Sequence, residues 1–250
     1  MTFIVTAGPT REYIDPVRFL SNPSTGRMGF AVARAAQSAG HDVVLMAGPV
    51  ELKTPQGVER VDVVSARDML AAVTAALRER ASRGPVALVM TAAVADWRPA
   101  RCAARKLKKS QMSGVLKLVR NPDILKTLQR EFSAGYLSAP HGIVRVGFAA
   151  ETGAPAAEAA RKCREKGLDL VVGNDVTSPG SGFGTATNRV TFVFPDGSAQ
   201  PLPLLSKLAV ARRIVDFCVR AWKSDPYGSY NNNDSRQQRR FQCQQRAFFT

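Results

Sequence analysis

Apolar and polar positions along residues 1–225 fall into blocks that read as strand, helix and strand in turn. Phe3-Ile4-Val5 opens as a short buried strand and breaks at Thr6-Ala7-Gly8-Pro9-Thr10. A polar segment with Arg11, Glu12, Asp15, Arg18 and Asn22 comes next, and Ser24-Thr25-Gly26-Arg27-Met28-Gly29 leads into a helix over 28–38 that stops at Gly40. A second apolar strand spans 42–47, so strand, helix and strand form a βαβ unit with a parallel pair. A short strand over 58–64 precedes a helix over 66–82, capped by Ser65 and carrying Met69, Leu70, Val73 and Leu77 at helical spacing.

The alternation continues. A strand over 85–91 runs into Ala92-Ala93-Val94-Ala95-Asp96, small residues with one Asp where open α/β sheets place ligands. Asn121-Pro122-Asp123 reads as a helix start, with Asn at the N-cap, Pro at N1 and Asp in the first turn, and the helix runs to about Phe132. A strand over 143–149, a helix over 154–166 and a strand over 168–172 follow. Residues 177–188 form a Gly/Ser/Thr-rich loop. Asp196-Gly197 marks a β-hairpin, and Ser206 caps a last helix over 207–222. The expected fold class is α/β: a Rossmann-like three-layer fold with a mainly parallel central sheet, plus a C-terminal β-hairpin and helix. At residue 226 the pattern stops. Residues 226–250 are amide-rich and poor in aliphatics, and read as a disordered basic tail beside a domain over 1–225.

Charge sharpens this outline. The net charge is +15, which favours polyanionic ligands. From Arg98 to Arg120 the chain carries Arg101, Arg105, Lys106, Lys108, Lys109 and Lys117 with no acidic residue, a segment suited to closing over a triphosphate. Lys162 and Lys166 lie four apart at the end of a helix, positioned to meet the same anion. Arg18 and Asn22, a cation and an amide just before the Gly26/Gly29 turn, suit charge developing on an oxygen. The four cysteines are scattered and the two histidines isolated, so neither a zinc site nor a His-based triad is indicated. No apolar run approaches the roughly 18 residues of a membrane span, and no secretory leader pattern opens the chain, which points to the cytoplasm.

Two other classes are weighed against this. An NAD(P)-dependent oxidoreductase would carry G-x-G-x-x-G and an acidic residue ending the second strand, where Met46-Ala47-Gly48 stands. A basic RNA-binding protein would interleave aromatics with its cations, and none lies between Arg98 and Arg120.

Together the segments T-A-G-P-T-R-E, I-D-P-V-R-F-L-S-N-P-S-T-G-R-M-G, T-A-A-V-A-D-W-R-P, N-P-D-I-L, V-G-F-A-A-E-T and K-G-L-D-L-V-V-G-N-D-V closely resemble the phosphopantothenate–cysteine ligases of the bacterial, CTP-dependent type. The resemblance spans about residues 2–222. It implies that 4′-phosphopantothenate and CTP, with Mg²⁺, give an acyl-cytidylate that L-cysteine then attacks. It implies catalytic roles for Asn22, Arg18 and Lys106. Nucleotide contacts would come from Asp96, Lys106, Asn121, Pro122, Asp123, Ile124, Phe148, Lys162 and Lys166, and acyl-substrate contacts from Gly8, Asn22, Gly26 and Ala93. The metal ligands are left open. The resemblance also implies a homodimer; the flavin domain often fused to such ligases is missing, so the chain is either a free-standing ligase, with a separate flavin-dependent decarboxylase as partner, or an excised half. Pro23 and Arg27 depart from the histidine and lysine common in the family, and R-C-A-A-R stands in the segment before Lys106. An ATP-using version of the same ligase is the nearest alternative.

Overall fold

The apolar blocks pair in an order different from their order along the chain. The computed structural model describes residues 1–108, 114–151, 155–175, 180–182 and 184–224. Along them run β1 (Thr2–Ala7), β2 (Arg11–Tyr13), β3 (Phe19–Ser21), α1 (Arg27–Ser38), β4 (Asp42–Ala47), β5 (Glu59–Asp62), α2 (Ala66–Ala81), β6 (Val86–Met90), β7 (Trp97–Pro99), β8 (Leu118–Arg120), α3 (Ile124–Ser133), β9 (Ile143–Glu151), α4 (Pro155–Glu165), β10 (Leu170–Asp175), β11 (Thr187–Asn188), β12 (Val190–Val193), β13 (Ala199–Pro201), β14 (Leu205–Ser206) and α5 (Lys207–Ser224). Eight strands make the main sheet, in the order β13-β12-β10-β9-β6-β1-β4-β5. From β10 to β5 every pairing is parallel; β12 and β13 add an antiparallel edge.

Both faces of this sheet are covered, which is why its central strands are apolar throughout rather than alternating. Phe3 and Val5 of β1 point into a core shared with α1 and α5, including Phe30, Val32, Ile214 and Phe217. Ile4 points the other way, into a core shared with α2 and α3 through Met69, Leu77, Leu128 and Phe132. The period-2 alternation of Cβ directions sends neighbouring residues of one strand to opposite layers. α4 closes a smaller cluster with Ala159, Cys163 and Leu168. This is the three-layer α/β fold read from the sequence, with the β12–β13 hairpin at one edge of the sheet and the final helix packed beside α1 on one face.

The caps follow local chemistry. Ser65 begins α2 through a capping box: its Oγ accepts from Asp68 N at 3.2 Å, and Ser65 N donates to Asp68 Oδ2 at 2.8 Å. Ser206 Oγ accepts from Ala209 N at 3.1 Å at the start of α5. One expectation is corrected. Asn121 does not cap α3; Asp123 does, accepting from Lys126 N at 3.1 Å. The Asn121 backbone N–H goes instead to Asp96 O at 2.8 Å, and its side chain ties the Ala95–Arg98 turn. Asn121 thus joins two loops, and the helix starts at the next residue able to accept.

Three small ribbons lie outside the main sheet; β11 pairs with β14 through two residues, and the other two carry no periodic signal. β2 pairs with β3, and β7 with β8, each through three residues. Three-residue strands of mixed polarity are too short for a period to show. The residue 226–250 segment lies outside the described residues.

Candidate active site

The C-terminal ends of β1 and β6 bring the first group together. Gly8 follows β1 and Gly26 caps α1 in the left-handed region, with φ of 80° and 76°. A Cβ on Gly26 would stand 3.4 Å from the Gly8 backbone, so the two loops touch. Gly29 allows the same closeness one turn later: a Cβ there would meet Ala7 Cβ at 2.5 Å and Thr91 Oγ1 at 2.6 Å. Ala93 is held between these loops. Its N–H donates to Gly8 O at 2.9 Å, and its carbonyl accepts from Asn22 Nδ2 at 3.2 Å. Asn22 Nδ2 also reaches Val94 O at 3.3 Å. Gly8, Asn22, Gly26 and Ala93, separate in sequence, therefore form one cluster. Donating to two carbonyls engages the nitrogen of the exposed Asn22 amide and leaves its Oδ1 as an available acceptor.

Arg18 sits differently from a free cation. It donates to Asp15 Oδ2 through Nε at 3.0 Å and Nη2 at 2.6 Å, and from Nη2 to Leu107 O at 2.8 Å. Asp15, fully buried, also accepts from the backbone of Val17, Arg18 and Leu107. Burial alone would raise its pKa; the hydrogen bonds from Val17, from the Arg18 side chain and from Leu107 outweigh that and hold it down at about 2. Ala103 N adds a bond to Ile14 O at 2.9 Å. The basic segment is thus fastened at residues 103 and 107 to the turn before Asn22, and the exposed Lys106 is placed beside that anchor. Lys109 lies outside the described residues.

The second group lines a cleft of about 480 Å³. Asp96, Asn121, Pro122, Asp123, Ile124, Phe148 and Lys166 all border it. Asn121 Nδ2 donates to Ala95 O at 2.8 Å, and its Oδ1 accepts from Arg98 at 3.1 Å. Lys166 Nζ lies 3.0 Å from Asp123 Oδ2, and Asp123 Oδ1 is taken by the α3 cap, so this carboxylate is fully engaged. Lys162, one turn earlier on α4, does not line the cleft and is half-buried. Ala92 and Val94 also border the cleft. Since Val94 O accepts from Asn22, the loop between Ala92 and Asp96 is the common wall of both groups.

Some bordering residues were not singled out from the sequence. Trp97 and Arg120 flank the cleft, with the Arg120 guanidinium 5.2 Å from the Trp97 ring centroid, and Arg98 donates to Arg120 O. The Asp15 carboxylate was visible only as one charge among several; no short-range pattern shows that a chain segment 92 residues later will dock on it. Thr10 Oγ1 accepts from Ala95 N at 3.0 Å and Thr6 Oγ1 from Ala92 N at 3.2 Å, fixing the shared loop from below.

Chemically, the cleft offers two cations, Arg120 and Lys166, and two aromatic rings, Trp97 and Phe148, to an anion with a flat group. Asp96 is exposed, and among the described residues no ion pair engages it. No group of three or more His, Cys, Asp or Glu side chains among the described residues could cage a metal. That donor set suits Mg²⁺ only if it arrives already bound to phosphates, with one or two carboxylates completing its shell. Cys163 is buried and its thiol pushed up to about 12 by burial and by Asp169, so it stays protonated. Among the described residues no helix is long and apolar enough to cross a membrane.

Fold and cleft together define a Rossmann-like α/β protein with its site along the C-terminal edge of a parallel sheet. The chain belongs to the family described as the DNA/pantothenate metabolism flavoprotein C-terminal domain, which matches residues 1–221. It is 44% identical over 216 residues to the coenzyme A biosynthesis bifunctional protein CoaBC of Vibrio vulnificus (strain YJ016), covering 86% of this chain and 51% of that protein. The protein of the same name from Bacillus subtilis (strain 168) is 44% identical over 213 residues, covering 85% and 49%. A crystal structure of the C-terminal domain of a CoaBC protein superposes with a TM-score of 0.68 at 39% identity, over 86% of this chain and 92% of that one. The chain spans about half the length of the curated relatives it matches.

Proposed function

We propose that this chain is a phosphopantothenate–cysteine ligase of coenzyme A biosynthesis, working in two half-reactions across the loop between Ala92 and Asp96. One observation carries the reading: Asn22 is hydrogen-bonded to Ala93 O and Val94 O, and Val94 borders the Asp96 cleft, so an acyl group beside Asn22 adjoins a nucleotide in the cleft. The family match and the similarity to CoaBC proteins support the same activity.

In the first half-reaction the carboxylate of 4′-phosphopantothenate attacks the α-phosphate of CTP, and pyrophosphate leaves. Lys166 neutralises the triphosphate, Asn121 and Ile124 shape the cleft wall, and Phe148 packs on the base. Asp96 binds the ribose, and it is the carboxylate that would complete the shell of a Mg²⁺ carried in by the triphosphate. Lys106 approaches from the anchored basic segment, and Lys162 adds to the field from outside the cleft. Asp15 holds Arg18, so we assign Arg18 to positioning that segment as well as to the charge near the acyl group. In the second half-reaction the amine of L-cysteine attacks the acyl carbon and CMP leaves. Asn22 Oδ1 accepts a hydrogen bond from that amine and orients it, while Gly8 and Gly26 leave room for the acyl chain.

Pyrophosphate release assayed with each nucleotide tests the reading. CTP supports release that needs 4′-phosphopantothenate, and ATP supports it far less. Equal rates would remove the CTP assignment, and no acid-dependent release with either would remove the ligase.

We further infer a homodimer. Val17, Phe19, Trp97 and Leu118 leave exposed apolar surface on the two ribbons beside the site, which supports a partner surface there. A sedimentation mass of 27.0 kDa, the single-chain value, would contradict it. We assign residues 1–225 to the ligase and 226–250 to an appendage; a chain ending at 225 keeps full activity under this division. A flavin-dependent decarboxylase, fused or separate, is the functional partner this reading implies, and fractionation should recover the enzyme in the cytoplasm.

A further inference from the structure

A second cavity of about 400 Å³ lies between α1, the loop around Lys53 and the start of α5, and shares no lining residue with the Asp96 cleft. Four cations border it, Arg27, Arg34, Lys53 and Lys207, and no carboxylate does. Among the described residues none of the four belongs to an ion pair. Lys207 is 7% exposed, and its Nζ donates to Gly182 O at 3.0 Å. Arg27 Nη1 donates to Gly184 O at 3.0 Å, in the same loop. Burial, and then the charge of Arg27, depress the Lys207 pKa. Like charges gathered in a recess repel one another, and the repulsion is relieved by a bound anion. Several other cations of the protein meet carboxylates, as Arg80 meets Glu59 and Lys166 meets Asp123. Here four border one recess that no carboxylate lines, and Arg27 and Lys207 donate to backbone carbonyls.

We propose that this cavity is a second anion site, taking the phosphate group of a small phosphorylated molecule. Arginine side chains match phosphate oxygens in geometry as well as charge. The recess is open to solvent, and its size, with Phe30 and Leu208 in its wall, suits a compact ligand with an apolar portion. Through Arg27 and Lys207 the bound phosphate is linked to the loop at Gly182 and Gly184, and through Arg27 to Gly26 of the site above. The proposal rests on the cavity alone and stands whether or not the ligase reading does. Two sources share the chemistry: the phosphate end of the acid substrate, or a separate phosphorylated metabolite.

The test is calorimetric titration of the full chain with inorganic phosphate. The wild type binds; the doubly substituted Arg34→Gln/Lys53→Gln protein binds about tenfold more weakly or not at all. Both side chains are exposed, so the fold survives, as an unchanged melting temperature shows. An Arg212→Gln/Arg213→Gln protein loses the same charge from exposed positions on α5 and binds like the wild type. No phosphate binding by the wild type, or equal weakening in both double variants, overturns the proposal. Titration with phosphate in the presence of 4′-phosphopantothenate assigns the source: loss of phosphate binding means the substrate's own phosphate occupies the cavity, and retained binding means a separate metabolite does. Phosphate binding in these arms that the Arg34/Lys53 substitution leaves intact also counts against the site.

Discussion

Asp15 and Arg18 form an ion pair at 2.6 Å in which the carboxylate is fully buried, and the same two side chains hold both the N–H and the carbonyl of Leu107. The pair is therefore a clamp between the turn leading to Asn22 and the basic segment that carries Lys106. A buried carboxylate is costly unless its lone pairs are used; here Val17 N and Arg18 N close the turn, while Leu107 N and the Arg18 side chain tie it to the segment.

Replacing Asp15 by Asn removes the charge but keeps the shape. We expect faster tryptic cleavage around Arg105 and Lys106, by roughly tenfold, because the segment opens locally more often. We also expect a lower kcat. The effects of Asp15→Asn and Arg18→Gln should be strongly non-additive, since each breaks the same contact. Additive effects would show that the pair is not a unit. The pH sign follows from the depressed carboxyl. Its contribution is complete above the unfolded value of about 3.9 and is lost as the pH falls through the folded value of about 2. The stability difference between wild type and Asp15→Asn, measured by denaturant melts, should stay constant from neutral pH to about 4 and shrink below that.

Lys166 tests the cleft. Its pairing with Asp123 is partly exposed, and such pairs add about 0–1 kcal/mol to stability. Lys166→Met should leave the melting temperature nearly unchanged while raising the KM for CTP by about tenfold, the loss of one charge-assisted contact. An unchanged KM would place the triphosphate elsewhere.

Gly29 tests the packing that brings α1 onto the sheet. A methyl group there would overlap Ala7 Cβ and Thr91 Oγ1. Gly29→Ala should cost about 2 kcal/mol, read from chemical denaturation, as overpacking of a tight contact does. A neutral effect would mean that the helix start can move aside, and that the close approach of Gly8 and Gly26 is not enforced by this contact.

Much of this arrangement is legible in residue order. β1, β4, β6 and β9 are apolar runs bounded by turn residues, and the Ser65 and Ser206 caps announce their helices. Asp96, Asn121, Asp123 and Lys166 each lie next to an element end and border one cleft, which is why reading element ends finds them together, whereas Phe148 lies within β9. The rest depends on contacts distant in sequence. Asn121 has the residue type of an N-cap, but a carbonyl 26 positions earlier takes its side chain. The β2–β3 and β7–β8 ribbons are too short to have a period. The recess of Arg27, Arg34, Lys53 and Lys207 draws its cations from three separate stretches of chain, and no local pattern joins them.

We place the border between the two half-reactions at the loop between Ala92 and Asp96, with Asn22 serving only the second. The direct test is a single turnover with 4′-phosphopantothenate, CTP and Mg²⁺, followed by addition of L-cysteine, comparing wild type with Asn22→Ala. Asn22 is exposed, so its loss should not unfold the protein, and its hydrogen bonds to Ala93 O and Val94 O are long. Both proteins should release pyrophosphate before cysteine is added. The wild type should then form the cysteine adduct and release CMP, while Asn22→Ala should hold its intermediate with little conversion. Adduct formation by Asn22→Ala at the wild-type rate, or loss of pyrophosphate release in the variant, would contradict the account.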